Sequence, residues 1–298
     1  MIRIVQKVCL VLAVTATTGC KVLQPDVATV ALEPLEVMES KNLPYQPTVP
    51  REFDLIHMSL EISLDWEHRR VPGKAALLLT PYFYSTDSLQ LDAKGFDLHS
   101  VQLKEKHQMR SVQYEYDGDV ITLRFDSMLH RFDTIKVEIK YTAKPYERAS
   151  SGGKAITSDK GLFFINHDNS IPNKPQQVWT QGETSFNSCW FPTIDHPNER
   201  LTHDIYLTVH DKFETLSNGI KMFSVEAGDS LRTDYWKMDQ PHAPYLVMIA
   251  VGEFAVVQDS LDDLPVSYYV EPEYEKYAYD IFGNTPEMIR FYSDILGV

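Results

Sequence analysis

One segment of the chain, residues 179–197, concentrates side chains that could bind a ligand. It holds two Trp, two Phe and one Cys, and Gln181 and Glu183 lie on the same side of it if the backbone is extended. A carboxylate in apolar surroundings is costly unless it is paired. Glu183 therefore indicates either a site that awaits a cation or a loop cap bonded to backbone N–H groups, and the residues leave both open. Asp195, framed by two prolines, favours the structural cap.

Other arrangements that carry chemistry are missing from the sequence. The ten His include no H-x-x-x-H pair and no H-E-x-x-H motif, so no single helix turn presents two imidazoles to one ion. His196, His203 and His210 recur every seven residues, a spacing that alternates faces on a strand. No G-x-S-x-G motif is present either. We therefore expect no metal site and no complete catalytic site in this chain.

The elements that must position residues 179–197 are predicted to be strands. From Ile56 to Trp66, apolar and polar residues alternate, which predicts a strand with one face in a core. The same alternation returns in three further stretches, at 121–125, 135–141 and 205–209. Two turn signals separate strands: Asp117-Gly118 and Ser217-Asn218-Gly219. Residues 50–257 are therefore predicted to form an all-β sandwich or open barrel.

After residue 257 the pattern changes. Residues 266–272 predict a short strand, and Thr285-Pro286-Glu287 indicates a helix start with Thr285 as the N-cap. Met288, Tyr292 and Ile295 then share one helical face, which nothing later in this chain covers. We therefore expect the sequence to be cut within its next domain, so that 258–298 is an incomplete beginning.

The first residues resemble a bacterial lipoprotein signal. A basic head precedes an apolar run that is too short to span a bilayer, and the run ends at Thr17-Thr18-Gly19-Cys20. This predicts a signal peptide over 1–19, a lipidated Cys20 and a Pro-rich tether over 20–49. The protein would be exported and anchored to a bacterial membrane, on its periplasmic or cell-surface side. An ordinary secretory signal with an incidental Cys is the alternative.

Composition restricts the class of partner. Of the 298 residues, 42 are acidic and 28 are basic, which gives a formal net charge of −14. A nucleic-acid-binding protein needs a concentrated basic surface to neutralise phosphates. Nucleic acid is therefore not expected among the partners.

Several short motifs occur in the order in which one enzyme family carries them. They are Gly161-Leu162-Phe163-Phe164, Gln181-x-Glu183, Trp190-Phe191-Pro192-x-x-Asp195-x-Pro197, Leu216-Ser217-Asn218-Gly219 and the stretch from Tyr245 to Phe254. Together they resemble the zinc aminopeptidase N family, which includes leukotriene-A-four hydrolase, over residues from about 50 to 298. The second and third motifs resemble the family signature T-Q-x-E … F-P-C-x-D-x-P, with Thr193 standing where the family often has Cys.

The resemblance implies a fold and a role for two residues. The fold would be mostly β: a large saddle-like antiparallel β-sandwich domain over 50–257, followed by the first strand and helices of a truncated α/β, thermolysin-like catalytic domain. Glu183 would hold the α-amine of a substrate, and Gln181 would line the pocket for its first side chain. The family's H-E-x-x-H helix would lie beyond Val298. This chain would then hold no catalytic residue and no metal ligand, and zinc would bind only in the parent enzyme.

The functional hypothesis follows from these two residues. The chain would be the substrate-binding amino-terminal part of an exported zinc metallo-aminopeptidase that removes N-terminal residues from peptides, and it would be inactive alone. Its partners would be peptides with a free N-terminus, the remainder of the catalytic domain, and a membrane reached through the lipid anchor. The alternative is a noncatalytic peptide- or protein-binding β-sandwich lipoprotein. Whether the chain itself belongs to an enzyme stays open at this point.

Overall fold

The computed structural model describes residues 50–105, 108–148 and 159–297. The predicted signal peptide (1–19) and the predicted tether with Cys20 (20–49) lie outside these residues. The strands are β1 (Phe53–Ser63), β2 (Val71–Pro81), β3 (Thr86–Asp92), β4 (Phe96–Glu105), β5 (Gln108–Ser111), β6 (Gln113–Tyr116), β7 (Val120–Leu129), β8 (Ile135–Ala143), β9 (Leu162–Ile165), β10 (Gln177–Thr180), β11 (Leu201–His210), β12 (Glu214–Ser217), β13 (Ile220–Gly228), β14 (Leu231–His242), β15 (Ile249–Gly252), β16 (Ala255–Leu261) and β17 (Leu264–Val270). The α-helices are α1 (Ala278–Phe282) and α2 (Thr285–Leu296), and 3-10 turns cover Asn187–Cys189, Pro244–Leu246 and Pro272–Tyr277.

The strands form one large sheet and three smaller ones. The large sheet has the order β13-β14-β11-β1-β2-β8-β4-β5, and the smaller sheets are β12-β15-β10-β9, β3-β7-β6 and β16-β17. The predicted mostly β fold is confirmed. Within the described ranges, every strand pair is antiparallel except β1 and β11, which run parallel from His57↔Thr202 to Ser63↔Thr208.

A single apolar core joins the eight-, four- and three-stranded sheets. Trp190, Tyr141 and Phe53 are among its largest fully buried side chains. Trp190 belongs to residues 179–197, the segment in which the sequence indicates a ligand site. Its burial shows that this part of the segment is packed into the core. Burying an aromatic side chain of this size is among the strongest favourable contributions a single residue makes.

The alternation predicted for the first strand is correct from Met58 onwards and shifted before it. Leu55 is fully buried, whereas Ile56 is 37% exposed. The cause is a β-bulge between Leu55 and His57 in the pairing with β2. A bulge inserts one residue, and one residue moves every side chain before it to the opposite face.

The turn signals and the helical tail are also present in the structure. Asp117-Gly118 joins the antiparallel strands β6 and β7, as predicted, and Gly118 has a φ of 103°. Helix α2 begins at Thr285, so the prediction of Thr285 as the N-cap is wrong. Asn284 occupies the cap position, and the Thr285 hydroxyl donates back to the carbonyl of Phe282. The hydroxyl therefore serves the preceding turn instead of the helix N-terminus.

The last elements share a second, smaller apolar cluster. The β16–β17 hairpin packs a second apolar cluster against Ala278 and Ile289, and the boundary predicted at 257/258 falls inside β16. The outer side of α2 is apolar and exposed: Met288, Phe291, Tyr292, Ile295 and Leu296 are 56–70% exposed. In the described part of the chain, no helix has the length and apolar character needed to cross a bilayer.

Candidate functional site

Strand β10 delivers the candidate site from the middle of the four-stranded sheet. It pairs with β9 on one side and β15 on the other. On its more exposed face, the ring of Trp179 stacks on that of Phe163, with centroids 4.9 Å apart. The strand ends at Thr180, and the backbone N–H of Gln181 donates to the carbonyl of Gly161 over 2.9 Å. Gln181 is therefore fixed by its backbone before its side chain makes any contact.

Gly182 lets the chain leave the sheet at this point. A Cβ on Gly182 would lie 2.5 Å from the carbonyl oxygen of Tyr245 and 2.6 Å from Cγ of Asn187. No real Cβ tolerates such distances, so only glycine allows the two backbones to approach here. The carbonyl of Gly182 then accepts from the N–H of Phe186 over 2.9 Å, which closes the turn that contains Glu183.

The structure brings Gln181 and Glu183 together. Nε2 of Gln181 donates to Oε2 of Glu183 over 3.3 Å, Gln181 is half-buried, and Glu183 is exposed. Among the described residues, no Lys, Arg or His forms an ion pair with Glu183. The sequence left two interpretations open for Glu183, a cation site and a loop cap. Among the described residues, its carboxylate accepts no bond from a backbone N–H group, so the loop cap is not observed. The carboxylate is free to accept charge-assisted hydrogen bonds from a cationic group of a ligand.

A buried amide that the sequence analysis missed supports this turn from behind. Asn187 is fully buried, and its Nδ2 donates to the carbonyls of Pro244 and Val247 over 2.7 and 2.8 Å. Its Oδ1 accepts from Nε1 of Trp190 over 2.8 Å. An amide inside an apolar run is a signal that could have revealed it, because a buried amide must find partners. Asn187 thus ties the turn to the loop that precedes β15.

Asp195 is a structural cap, as its surroundings in the sequence favoured. Its Oδ2 accepts from the backbone N–H of Ser188 over 2.9 Å and from the Ser188 hydroxyl over 2.8 Å. Its own backbone N–H donates to Asp92 over 2.9 Å. Burial raises the pKa of the Asp195 carboxyl, while the bonds from Ser188 oppose that rise. Through these two bonds, Oδ2 of Asp195 holds the loop in place.

Cys189 and the His203–His242 pair are buried or half-buried and lie in the packed part of the structure. Cys189 is buried and has no disulfide partner among the described residues, and burial raises the pKa of its thiol to about 11. His203 is fully buried, with its Nε2 3.1 Å from Nε2 of His242, and burial lowers its pKa to about 3. Across the described ranges, no group of three His, Cys, Asp or Glu side chains could hold a metal ion.

Comparison with known proteins relates the sequence of this chain to peptidases. Residues 49–246 match the family model described as the peptidase M1 N-terminal domain. Leukotriene A-4 hydrolase from Xenopus laevis is 20% identical over 83% of this chain and 39% of its own length. Aminopeptidase B from Rattus norvegicus is 21% identical over 69% of this chain and 32% of its own length. The chain thus spans well under half the length of these relatives.

Solved structures of M1 peptidases share the fold of this chain. An M1 zinc metallopeptidase from Deinococcus radiodurans aligns with a TM-score of 0.63 at 18% identity, over 82% of this chain and 53% of that one. A variant of that peptidase is described as bound to a Tyr-Ser-Ala substrate. Yeast leukotriene A-4 hydrolase aligns with a TM-score of 0.63 at 18% identity, over 82% of this chain and 35% of that one.

Proposed function

Because the chain belongs to the family of peptidase M1 N-terminal domains, we propose that it is the substrate-binding part of a zinc aminopeptidase that removes N-terminal residues from peptides. The observation that carries the proposal is the state of Glu183. It is an exposed carboxylate with no cationic partner among the described residues, held beside Gln181 by a turn that the core supports. A peptide with a free N-terminus supplies the missing cation.

Glu183 would act as the anchor for the substrate's α-amine. An ammonium group offers three N–H donors, and the carboxylate of Glu183 accepts from them with the strength of charge-assisted bonds. The bond from Gln181 holds the carboxylate in one orientation, so less side-chain entropy is lost when the amine binds. Fixing the amine also fixes the distance to the first peptide bond, and that is the geometric requirement for removing a single residue.

Gln181 would contact the first residue of the substrate. Its amide is half-buried between the end of β10 and the exposed Glu183. The neighbouring surface of β10 and β9 carries the stacked rings of Trp179 and Phe163. An apolar wall next to a carboxylate suits the first side chain of a peptide, with its amine at one end and its apolar atoms beside it.

The described residues do not fit zinc. No cluster of three potential ligands exists among them, so this part of the protein would contribute substrate contacts and leave the metal to the remainder of the catalytic domain. The apolar outer side of α2 would pack against that remainder. Such a contact would remove five exposed apolar side chains from water.

We also propose that the protein is exported and held to a membrane by a lipid on Cys20, with the following residues as a tether. The basic and apolar stretches before Thr17-Thr18-Gly19-Cys20 support this. Replacing Cys20→Ser should move the protein from the membrane fraction to the soluble fraction. Mass spectrometry of the amino-terminal peptide should find a diacylglycerol group on Cys20. An unmodified Cys20 in membrane-free protein would reject the anchor.

The amine anchor is tested with Glu183→Ala in the full-length native protein. We expect kcat/KM for alanine p-nitroanilide to fall at least about 30-fold, because removing one partner of a charged hydrogen-bonded pair costs at least about 2 kcal/mol. Glu226→Ala is the matched control, since Glu226 is an exposed acid on β13, in a different sheet from the strand that leads into the turn, and it should leave the kinetics unchanged. The N-acetylated substrate should be poor for all three proteins.

Two results would contradict different parts of the proposal. Unchanged kinetics in Glu183→Ala, with an active wild-type protein, would remove Glu183 from the site and leave the aminopeptidase in place. A native protein without any aminopeptidase activity would reject the enzyme and leave the noncatalytic peptide-binding lipoprotein.

A further inference from the structure

Two neighbouring loops present an unusual group of exposed rings. Phe83 and Tyr84, in the β2–β3 connection, are 58% and 79% exposed, and Phe132, in the β7–β8 connection, is 91% exposed. Tyr82 is 46% exposed beside them. Single exposed apolar residues are common on proteins, but a cluster of large rings at adjoining loop tips marks an interaction surface.

One cation joins the two loops. The guanidinium of Arg131 lies 5.6 Å from the ring of Phe83 and 5.9 Å from that of Phe132. We call Tyr82, Phe83, Tyr84, Arg131 and Phe132 the aromatic patch. In the described structure, Arg131 forms no ion pair, so its charge is available to an anionic partner.

Hydrogen bonds hold the two loops in this arrangement. The Thr80 hydroxyl donates to the carbonyl of Arg131 over 3.0 Å, and Ser85 bonds to Nδ1 of His130 over 2.8 Å. The carboxylate of Asp133 accepts from the backbone N–H of His130 over 2.7 Å. Hydrogen bonds therefore join the two loops, and the rings of the aromatic patch remain exposed in this arrangement.

The patch also lies where the described chain enters the fold. The carbonyl of Glu52 accepts from the backbone N–H of Tyr82 over 2.8 Å, and the guanidinium of Arg51 lies 4.5 Å from the Tyr82 ring. Residues 20–49, the predicted tether, therefore join the domain beside the patch. A coil of 30 residues has an end-to-end distance of about 30 Å. A lipid on Cys20 would keep this end of the domain close to a bilayer.

We propose that the aromatic patch contacts the bilayer interface. Tyr and Arg combine an apolar body with a polar group suited to the headgroup region, and Phe adds an apolar ring that enters the boundary with the acyl chains. Arg131 would meet the phosphates of the lipids. This inference rests on the lipid anchor proposed above and is independent of Glu183. The patch would orient the anchored domain on the membrane.

The test places a nitroxide spin label at Phe132→Cys in the full-length protein. Phe132 is almost fully exposed, so the substitution should not disturb folding, and the buried Cys189 should label poorly. The matched control is Glu67→Cys, an exposed position in the turn between β1 and β2 at the opposite end of the same strand pair. Eleven residues of strand separate the two ends by about 36 Å.

Collision rates with oxygen and with a water-soluble nickel chelate report how deep each label lies in vesicles of phosphatidylethanolamine and phosphatidylglycerol. We expect the nickel collision rate of the label at 132 to fall severalfold with vesicles present, and its oxygen rate to rise. The label at 67 should remain aqueous. A Phe83→Ser change added to the labelled protein should return the label at 132 towards water.

The outcomes separate the patch from the anchor. If mass spectrometry finds lipid on Cys20 and the label at 132 stays as aqueous as the label at 67, the patch proposal is overturned and the anchor stands. A label at 132 that is shielded before vesicles are added indicates a protein–protein contact and also overturns it. Protein without lipid on Cys20 that does not bind the vesicles overturns both.

Discussion

The turn at Gln181–Glu183 and the loop at Asn187–Asp195 are adjacent in sequence and opposite in character. Glu183 is exposed and bonds to one neutral side chain. Asn187 is buried and bonded to backbone carbonyls before β15, and Asp195 is buried and bonded to Ser188 within the loop. The loop is therefore part of the core, and the turn lies on the surface next to the loop. We therefore expect that stability and the proposed ligand binding are separable within fifteen residues, which the following changes test.

The largest effect on stability is expected from Trp190→Ala. Trp190 is fully buried, its ring meets Phe191 with centroids 4.5 Å apart, and its Nε1 donates to Asn187. Truncation should lower the free energy of unfolding by about 3–5 kcal/mol, measured by urea denaturation. Trp179→Ala, at a ring that is 39% exposed, is the control and should cost clearly less. Equal costs would mean that the buried Trp190 contributes no more to stability than the partly exposed Trp179 of β10.

A smaller loss is expected from Asp195→Ala. The change leaves the buried N–H of Ser188 without its acceptor, and the Ser188 hydroxyl keeps only the longer bond, 3.4 Å, to the carbonyl of Ser185. We expect a loss of about 2 kcal/mol in the free energy of unfolding, since unsatisfied buried donors carry a desolvation penalty. Ser188→Ala combined with Asp195→Ala should cost less than the sum of the two single changes. Strict additivity would show that the two residues do not act as one cap.

The pH dependence of that cap gives a third and smaller effect. Because burial raises the pKa of Asp195, the folded protein binds this proton more readily than the unfolded chain. The resulting stability is fully present below the unfolded pKa of about 3.9 and is lost as pH rises through the raised folded value. The free energy of unfolding of the wild-type protein, relative to that of Asp195→Asn, should therefore fall as the pH rises above about 4. The slope should be at most about 1.4 kcal/mol per pH unit. Parallel curves for the two proteins would contradict this.

The smallest effect on stability is expected from Glu183→Gln. The side chain is exposed and its one hydrogen bond is to Gln181, so the free energy of unfolding should change by less than about 0.5 kcal/mol. The same urea measurements used for Trp190→Ala provide the comparison. A loss above about 1 kcal/mol would mean that Glu183 stabilises the fold. The turn would then contribute to stability as the loop does.

The sequence predicted these two regions to different degrees. Spacing alone placed Gln181 beside Glu183, because two residues apart on an extended chain share a side. It could not decide what Glu183 bonds to, because that depends on which distant groups the fold brings near. Asn187 was missed for the same reason: its partners, the carbonyls of Pro244 and Val247, lie about sixty residues away.

The remaining differences come from local irregularities that a regular period cannot express. The alternation of strand β1 covers the correct residues, but the bulge before His57 reverses the faces of the residues that precede it. Thr285 has the composition of an N-cap, yet its hydroxyl found a nearer acceptor in Phe282. At Thr285, a neighbouring backbone carbonyl decided the outcome over the intrinsic preference of the residue, whereas in β1 the register of the pairing with β2 decided it.

The parallel pairing of β1 with β11 has a consequence for the order of folding. His57 and Thr202 are paired in this register and lie 145 residues apart. At about 5–20 residues per second, β1 waits roughly 10–30 s during synthesis before its second neighbour exists. In that interval the β1–β2 hairpin has an open edge that can pair with another chain. Pairing at this open edge would lower the yield of correctly folded protein.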